Sequence, residues 1–144
     1  MLRIPIGLGL IALLTASPAI AEIARIKTSS GAAVVERGAA RLKPAPGLQL
    51  LPKDRLVTGK NGRMAVTFVD NTRFAIGPNS NILVSEFNYD RTRQRGTMVT
   101  EVNRGSLAVV SGKIAKSGQD AMKVRTPNTL LGVRGTKFII EVGK

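Results

Sequence analysis

The chain contains no cysteine, no histidine and no tryptophan, and its aromatic residues are four phenylalanines and one tyrosine. Without cysteine there is no disulfide, no thiolate nucleophile and no redox couple, so stability must come from a packed core and backbone ladders. Without histidine the commonest general base is gone, and the two absences together remove the usual zinc and copper ligands. Acids are scarce too, nine Asp and Glu against 22 Lys and Arg, for a net charge of +13. Of these acids, only Glu86 and Asp90 lie within a few positions of each other, and their context does not fit a calcium loop. No G-x-S-x-G elbow appears either. The acids read as solvated strand edges and turn formers. The expectation is a protein that is not an enzyme and holds no metal or cofactor.

Long apolar runs are also missing. The longest run, Ile4 to Ala16, is broken by Pro5, Gly7 and Gly9 and falls short of the roughly 20 residues of a membrane-spanning helix. Arg3 precedes it and Ala19-Ile20-Ala21 follows, the pattern of a secretory signal peptide over residues 1–21. Cleavage is expected after Ala21, leaving residues 22–144 as one domain with no membrane span. The intact mass of the exported protein checks this, since a form still beginning at Met1 would make the segment an anchor. No cysteine follows the run, which excludes a lipoprotein anchor. The expected location is periplasmic or secreted.

Removing that segment takes away one basic residue and no acid, so residues 22–144 carry a net charge of +12. Such a surface attracts anions. For an exported protein these are an acidic envelope protein, lipid head groups, or wall and lipopolysaccharide polymers. Nucleic acid is excluded as a partner: no helix is expected that could enter a groove, and the few aromatics offer no stacking platform.

From Glu22 onward, short apolar runs alternate with Gly, Pro and Asn, and no stretch sustains a helical period. The expected fold is all-β, with strands at Ile23–Lys27, Ala33–Glu36, Arg55–Thr58, Arg63–Val69, Arg73–Ile76, Ile82–Phe87, Thr97–Asn103, Ser106–Ser111, Met122–Arg125, Thr129–Val133 and Thr136–Val142. Leu42 to Pro52, with three prolines, is the least regular piece. Alternating apolar faces suit a sandwich, a barrel or a solenoid-like stack of short rungs equally well, and the expectation is a twisted solenoid-like or sandwich-like single domain.

The hairpin around Asp70 can be specified further. Met64, Val66, Phe68, Phe74 and Ile76 all occupy even positions, so one buried face for all five requires a loop with an odd number of residues. A three-residue or bulged turn is expected, with Asn71 in the left-handed conformation.

Arg91, Arg93 and Arg95 alternate with Thr92 and Gln94, which in an extended segment places three guanidinium groups on one side. This row is the candidate anion or partner site, with Arg104, Lys113, Lys116 and Lys123 following. The competing reading is a charged edge that keeps the loop soluble and discourages strand aggregation.

Three ordered motifs then resemble one bacterial family. Thr126-Pro127 followed by Gly132-Val133-Arg134-Gly135-Thr136 and a final strand resembles the closing motif of the FecR domain, an envelope signalling module. Asp54-Arg55-Leu56-Val57-Thr58-Gly59 is similar to its opening motif, with Lys53 where the family has glycine. Ala65 to Thr72 is similar to its central hairpin, with Asn71 in place of glycine after Asp70. The resemblance implies a twisted, solenoid-like β fold and a structural role for Asp54, Thr58, Gly59, Asp70, Asn71, Thr126, Pro127, Gly132, Arg134, Gly135 and Thr136. Full-length FecR regulators add a cytoplasmic segment that restrains a sigma factor and one membrane span. Neither is recognisable in this chain, so the resemblance implies a free-standing exported binding or signalling module, with an envelope-structural protein that binds anionic polymers as the alternative. The oligomeric state is left open.

Overall fold

The computed structural model describes residues 20–135 and 137–143, together with 2, 3, 5, 7, 9 and 12–14. Thr136 lies outside the described residues, so its expected structural role is not addressed below.

Period-two alternation produces twelve strands among the described residues: β1 (Ala24–Ser30), β2 (Ala33–Arg37), β3 (Ala40–Leu42), β4 (Gln49–Leu50), β5 (Arg55–Thr58), β6 (Arg63–Phe68), β7 (Arg73–Ile76), β8 (Asn81–Asp90), β9 (Arg95–Val110), β10 (Met122–Arg125), β11 (Leu130–Val133) and β12 (Lys137–Val142). All twelve join one curled sheet, antiparallel except where β10 runs parallel to β9. The all-β expectation holds. A short helix, α1 (Lys113–Ser117), is the exception, five residues that give no sustained helical period in the sequence.

β9 is the spine of the sheet. Its first half lies between β8 and β10, and its second half between β7 and β12. Two separate strands are expected over this segment from the glycine between them. Instead Gly105 bends one continuous strand, at φ +91, where a side chain would run into Ser80. Ser80 holds the bend from the other side, its Oγ accepting from the Ser106 N–H at 3.0 Å and donating to the Gly77 carbonyl at 2.9 Å. The sheet therefore curls at this point and closes over one core.

Phe68 fills the core centre, 2 % exposed, with its ring 4.6 Å from Phe74 edge-on and 5.6 Å from Phe87 in a stack. The β6–β7 turn is the odd-numbered loop required by parity. Thr67 pairs with Arg73, the Phe68 N–H donates to the Thr72 carbonyl at 2.8 Å, and Val69-Asp70-Asn71 form a three-residue loop with Asn71 at φ 70. All five even-numbered residues are buried. The Pro-rich stretch contributes little sheet, since β4 pairs only through Leu50 and Gln49 with Ala24 and Arg25.

Lys53, the other position where the resembling family has glycine, also has a positive φ, at 69. Asparagine tolerates that conformation and lysine does not, the left-handed region costing a Cβ-bearing residue roughly 1–2 kcal/mol. Lys53→Gly is therefore expected to raise unfolding stability by about 0.5–1 kcal/mol, after allowing for the extra freedom of glycine in the unfolded chain. Urea titration reads this directly, and a loss of stability would show that the lysine side chain has a compensating contact.

Candidate functional site

The family-like residues are mostly occupied in holding the fold. Asp54, which is buried, accepts from Arg37 through both carboxylate oxygens, at 2.9 and 2.8 Å, and from the Leu51 N–H at 2.9 Å. Hydrogen bonding to that carboxylate raises the Arg37 guanidinium above its already high ordinary value. Arg37 also donates to the Gln49 carbonyl, so one arginine ties β2 to β4 and to the turn that leads into β5.

Thr58 is likewise internal. Its hydroxyl donates to the Gly77 carbonyl at 2.6 Å and accepts from the Ser80 N–H at 3.0 Å, which fixes the β7–β8 turn. The neighbouring Gly59 N–H donates to the Ala32 carbonyl and its carbonyl accepts from Asn79.

Asp70 links the central hairpin to α1. Its carboxylate accepts from Thr72 N–H at 3.0 Å, from the Thr72 hydroxyl at 2.7 Å and from the Ile114 N–H at 3.1 Å, while its carbonyl accepts from Lys113 N–H at 2.9 Å. The Thr72 hydroxyl in turn accepts from the Gly112 N–H at 3.1 Å. The first turn of α1, which has no capping side chain of its own, is capped from 44 residues upstream. A Cβ at Gly112 would collide with the Asp70–Thr72 backbone, so the close approach requires glycine.

The closing motif forms a hairpin and then a crossing. Thr126 N–H donates to the Thr129 carbonyl at 2.8 Å, Pro127 is exposed at the tip, and β10 pairs with β11. The chain then leaves β11 to pair β12 with β9. Gly135 accepts a hydrogen bond from the Ser111 hydroxyl. Arg134 is exposed, not inward-facing, and lines a furrow between β11 and β12 with Gly132.

The arginine row differs from its expected geometry. Arg91 to Gln94 form a turn, not an extended segment, because the Asp90 side chain accepts from Thr92 N–H and Arg93 N–H at 2.9 and 3.1 Å, and Gln94 takes a positive φ of 53. The three arginines therefore sit on a hairpin tip, without the continuous strand alternation that would align them on one side. All three residues are exposed, and Arg93 makes only a long 3.9 Å contact with Asp90. The C-terminal end of α1 lies against the base of this hairpin, with Gly96 N–H donating to Ser117 Oγ at 3.4 Å, and Lys116 on that end is exposed. Arg104 is not part of this cluster. It lies nine residues along β9, about 30 Å away at strand rise, with its Nε on the Asn79 carbonyl at 3.1 Å. Glu22 is held below the usual carboxylate value, first by hydrogen bonds from Arg25 and then by nearby positive charge that includes Arg91.

Exposed arginines on a turn can bind anions by ion pairing, each contributing about 1 kcal/mol or less, so useful affinity needs several at once and weakens with salt. Among the described residues no group of three or more acids is placed to hold a metal ion.

The family model described as FecR protein matches residues 54–144. The chain belongs to the FecR family. The matched segment begins at the buried Asp54 and takes in β5 to β12, so the family match covers less of the chain than residues 22–144. β1 to β4 precede the match yet belong to the same sheet, β1 pairing with β6 and β2 with β5. No curated protein and no solved structure matches the chain. The polar FecR motif residues Asp54, Thr58 and Asp70 are buried in the joints just described. No helix among the described residues is long and apolar enough to cross a membrane.

Proposed function

We propose that this FecR-type chain is an exported, non-catalytic binding and signalling module, periplasmic or secreted, that engages an anionic envelope partner through the basic β8–β9 tip. The observation behind this reading is how the polar residues are deployed. The polar family residues Asp54, Thr58 and Asp70 are buried in turns and joints, whereas Arg91, Arg93 and Arg95 are exposed on one hairpin tip, with the exposed Lys116 on the helix that contacts the base of that hairpin. Signals are then carried by surface complementarity, and no bond is made or broken. Membership of a family of envelope signalling modules supports the location and the role.

Changing Arg91, Arg93 and Arg95 together to glutamine tests the reading. Folding should move by no more than about 0.5 kcal/mol, as for ordinary exposed substitutions, while association with envelope fractions at low salt should fall. Retained binding would reduce the tip to a solvated edge. The salt dependence of the parent separates the two partner classes, because adhesion to wall or lipopolysaccharide polymers fades steeply with ionic strength and a packed protein interface does not.

A further inference from the structure

β12 is an unpaired edge of the sheet, with β11 flanking it across a shallow furrow. Its one ladder among the described residues is to β9, and Ile139 is 71 % exposed in the middle of its outer face. An uncovered apolar edge is ordinarily blunted by charge or proline, since it offers unpaired backbone groups to any passing strand. β12 carries two charges on that face, Lys137 and Glu141, of opposite sign and placed symmetrically about Ile139. The inner face alternates with them, Phe138 and Val142 half-buried and Ile140 buried.

We infer that β12 is a self-recognition strand that pairs antiparallel with β12 of a second copy of this chain across a two-fold axis at Ile139. A two-fold axis perpendicular to the sheet keeps outward residues outward, which restricts the registers to those that place residues of the same face opposite each other. In the register centred on Ile139, Lys137 of each copy lies opposite Glu141 of the other, and the two exposed Ile139 side chains meet on the axis. On the inner face Phe138 of one copy then lies opposite Ile140 of the other. The neighbouring two-fold registers, one residue of sequence either way, set Lys137 opposite Ile139 or Glu141 opposite Ile139, which leaves the charges unpaired. The same lysine and glutamate that make the edge a poor match for an unrelated strand thus make it a good match for itself.

The pairing also continues an apolar surface. On the outer face Ala65, Ala75, Ala108 and Ile139 lie in one cross-strand row over β6, β7, β9 and β12. They form the floor of a shallow trough of about 570 Å³ whose rim includes Lys27, Arg73 and Lys137. Pairing of β12 across the axis joins two such rows into one sheet face.

Sedimentation equilibrium of the exported protein over micromolar to millimolar concentrations is the test, with circular dichroism to confirm that each variant is folded. The parent should form a dimer. Lys137→Glu alone and Glu141→Lys alone each set like charges opposite one another twice per dimer and should weaken it about tenfold or more. An equimolar mixture of these two variants should recover association as a heterodimer, and so should the doubly exchanged chain as a homodimer. Ile139→Lys, which brings two like charges together on the axis, gives an independent reading and should also leave monomers. A parent that remains monomeric throughout overturns the inference, and so does a dimer that ignores all three single changes, because another face would then hold it.

Discussion

Phe68→Ala is expected to destabilise the fold by about 3–5 kcal/mol, the usual cost of truncating a buried phenylalanine. Phe68 touches Phe74 across its own hairpin and Phe87 on β8, so the cavity opens where the two halves of the curled sheet meet. Neither neighbour can close it without leaving its strand, and the cost therefore falls in the upper part of that range. Urea unfolding with an unchanged m-value is the measurement. A loss under about 0.5 kcal/mol, typical of a surface position, would contradict the burial and with it the β6–β7 register.

Asp70→Ala is the second large effect, expected at about 3 kcal/mol or more. The carboxylate is completely buried and accepts three hydrogen bonds, each of a kind worth roughly 1.5–3 kcal/mol when the acceptor is charged. Removing it leaves the Thr72 and Ile114 amides buried without partners, though part of the cost is offset because a desolvated charge is also removed. Asp70→Asn keeps one acceptor oxygen and should lose about half as much. Hydrogen exchange separates this from general loosening: the Ile114 amide should lose protection before the β6 and β7 amides do. An equal and simultaneous loss everywhere would mean that Asp70 does not act through α1.

The two largest effects fall on residues whose roles were unequally visible in the sequence. Phe68 was readable because strand alternation has a strict period of two, so five even-numbered apolar residues left one possible loop parity. Asp70 was readable only as a family residue in a turn, since its partner at Ile114 is 44 positions away and α1 is too short to announce itself. The turn that carries the arginine row was hidden for a local reason. An alternating pattern reads as extended, but the residue before it, Asp90, is a turn former whose side chain captures two following amides. Gly105 reads as a break between two strands but is a bend within one, because a glycine marks a special backbone position without saying which strand continues through it. The open edge of β12 was invisible for a more general reason. The strand itself was expected, but its pairing with β9 and not with β11 is a long-range fact that periodicity does not encode.

The central place of β9 bears on the order in which the chain can assemble. Strands β8, β7, β10 and β12 all pair with it, and it begins only at Arg95. Nearly two-thirds of the polypeptide must be synthesised before the strand that unites the sheet exists. Local hairpins such as β6–β7 can form early, but a short hairpin alone in water is marginal, and the contacts that would reward it are distant in sequence. The emerging chain therefore stays loosely structured until late, which fits the export proposed above.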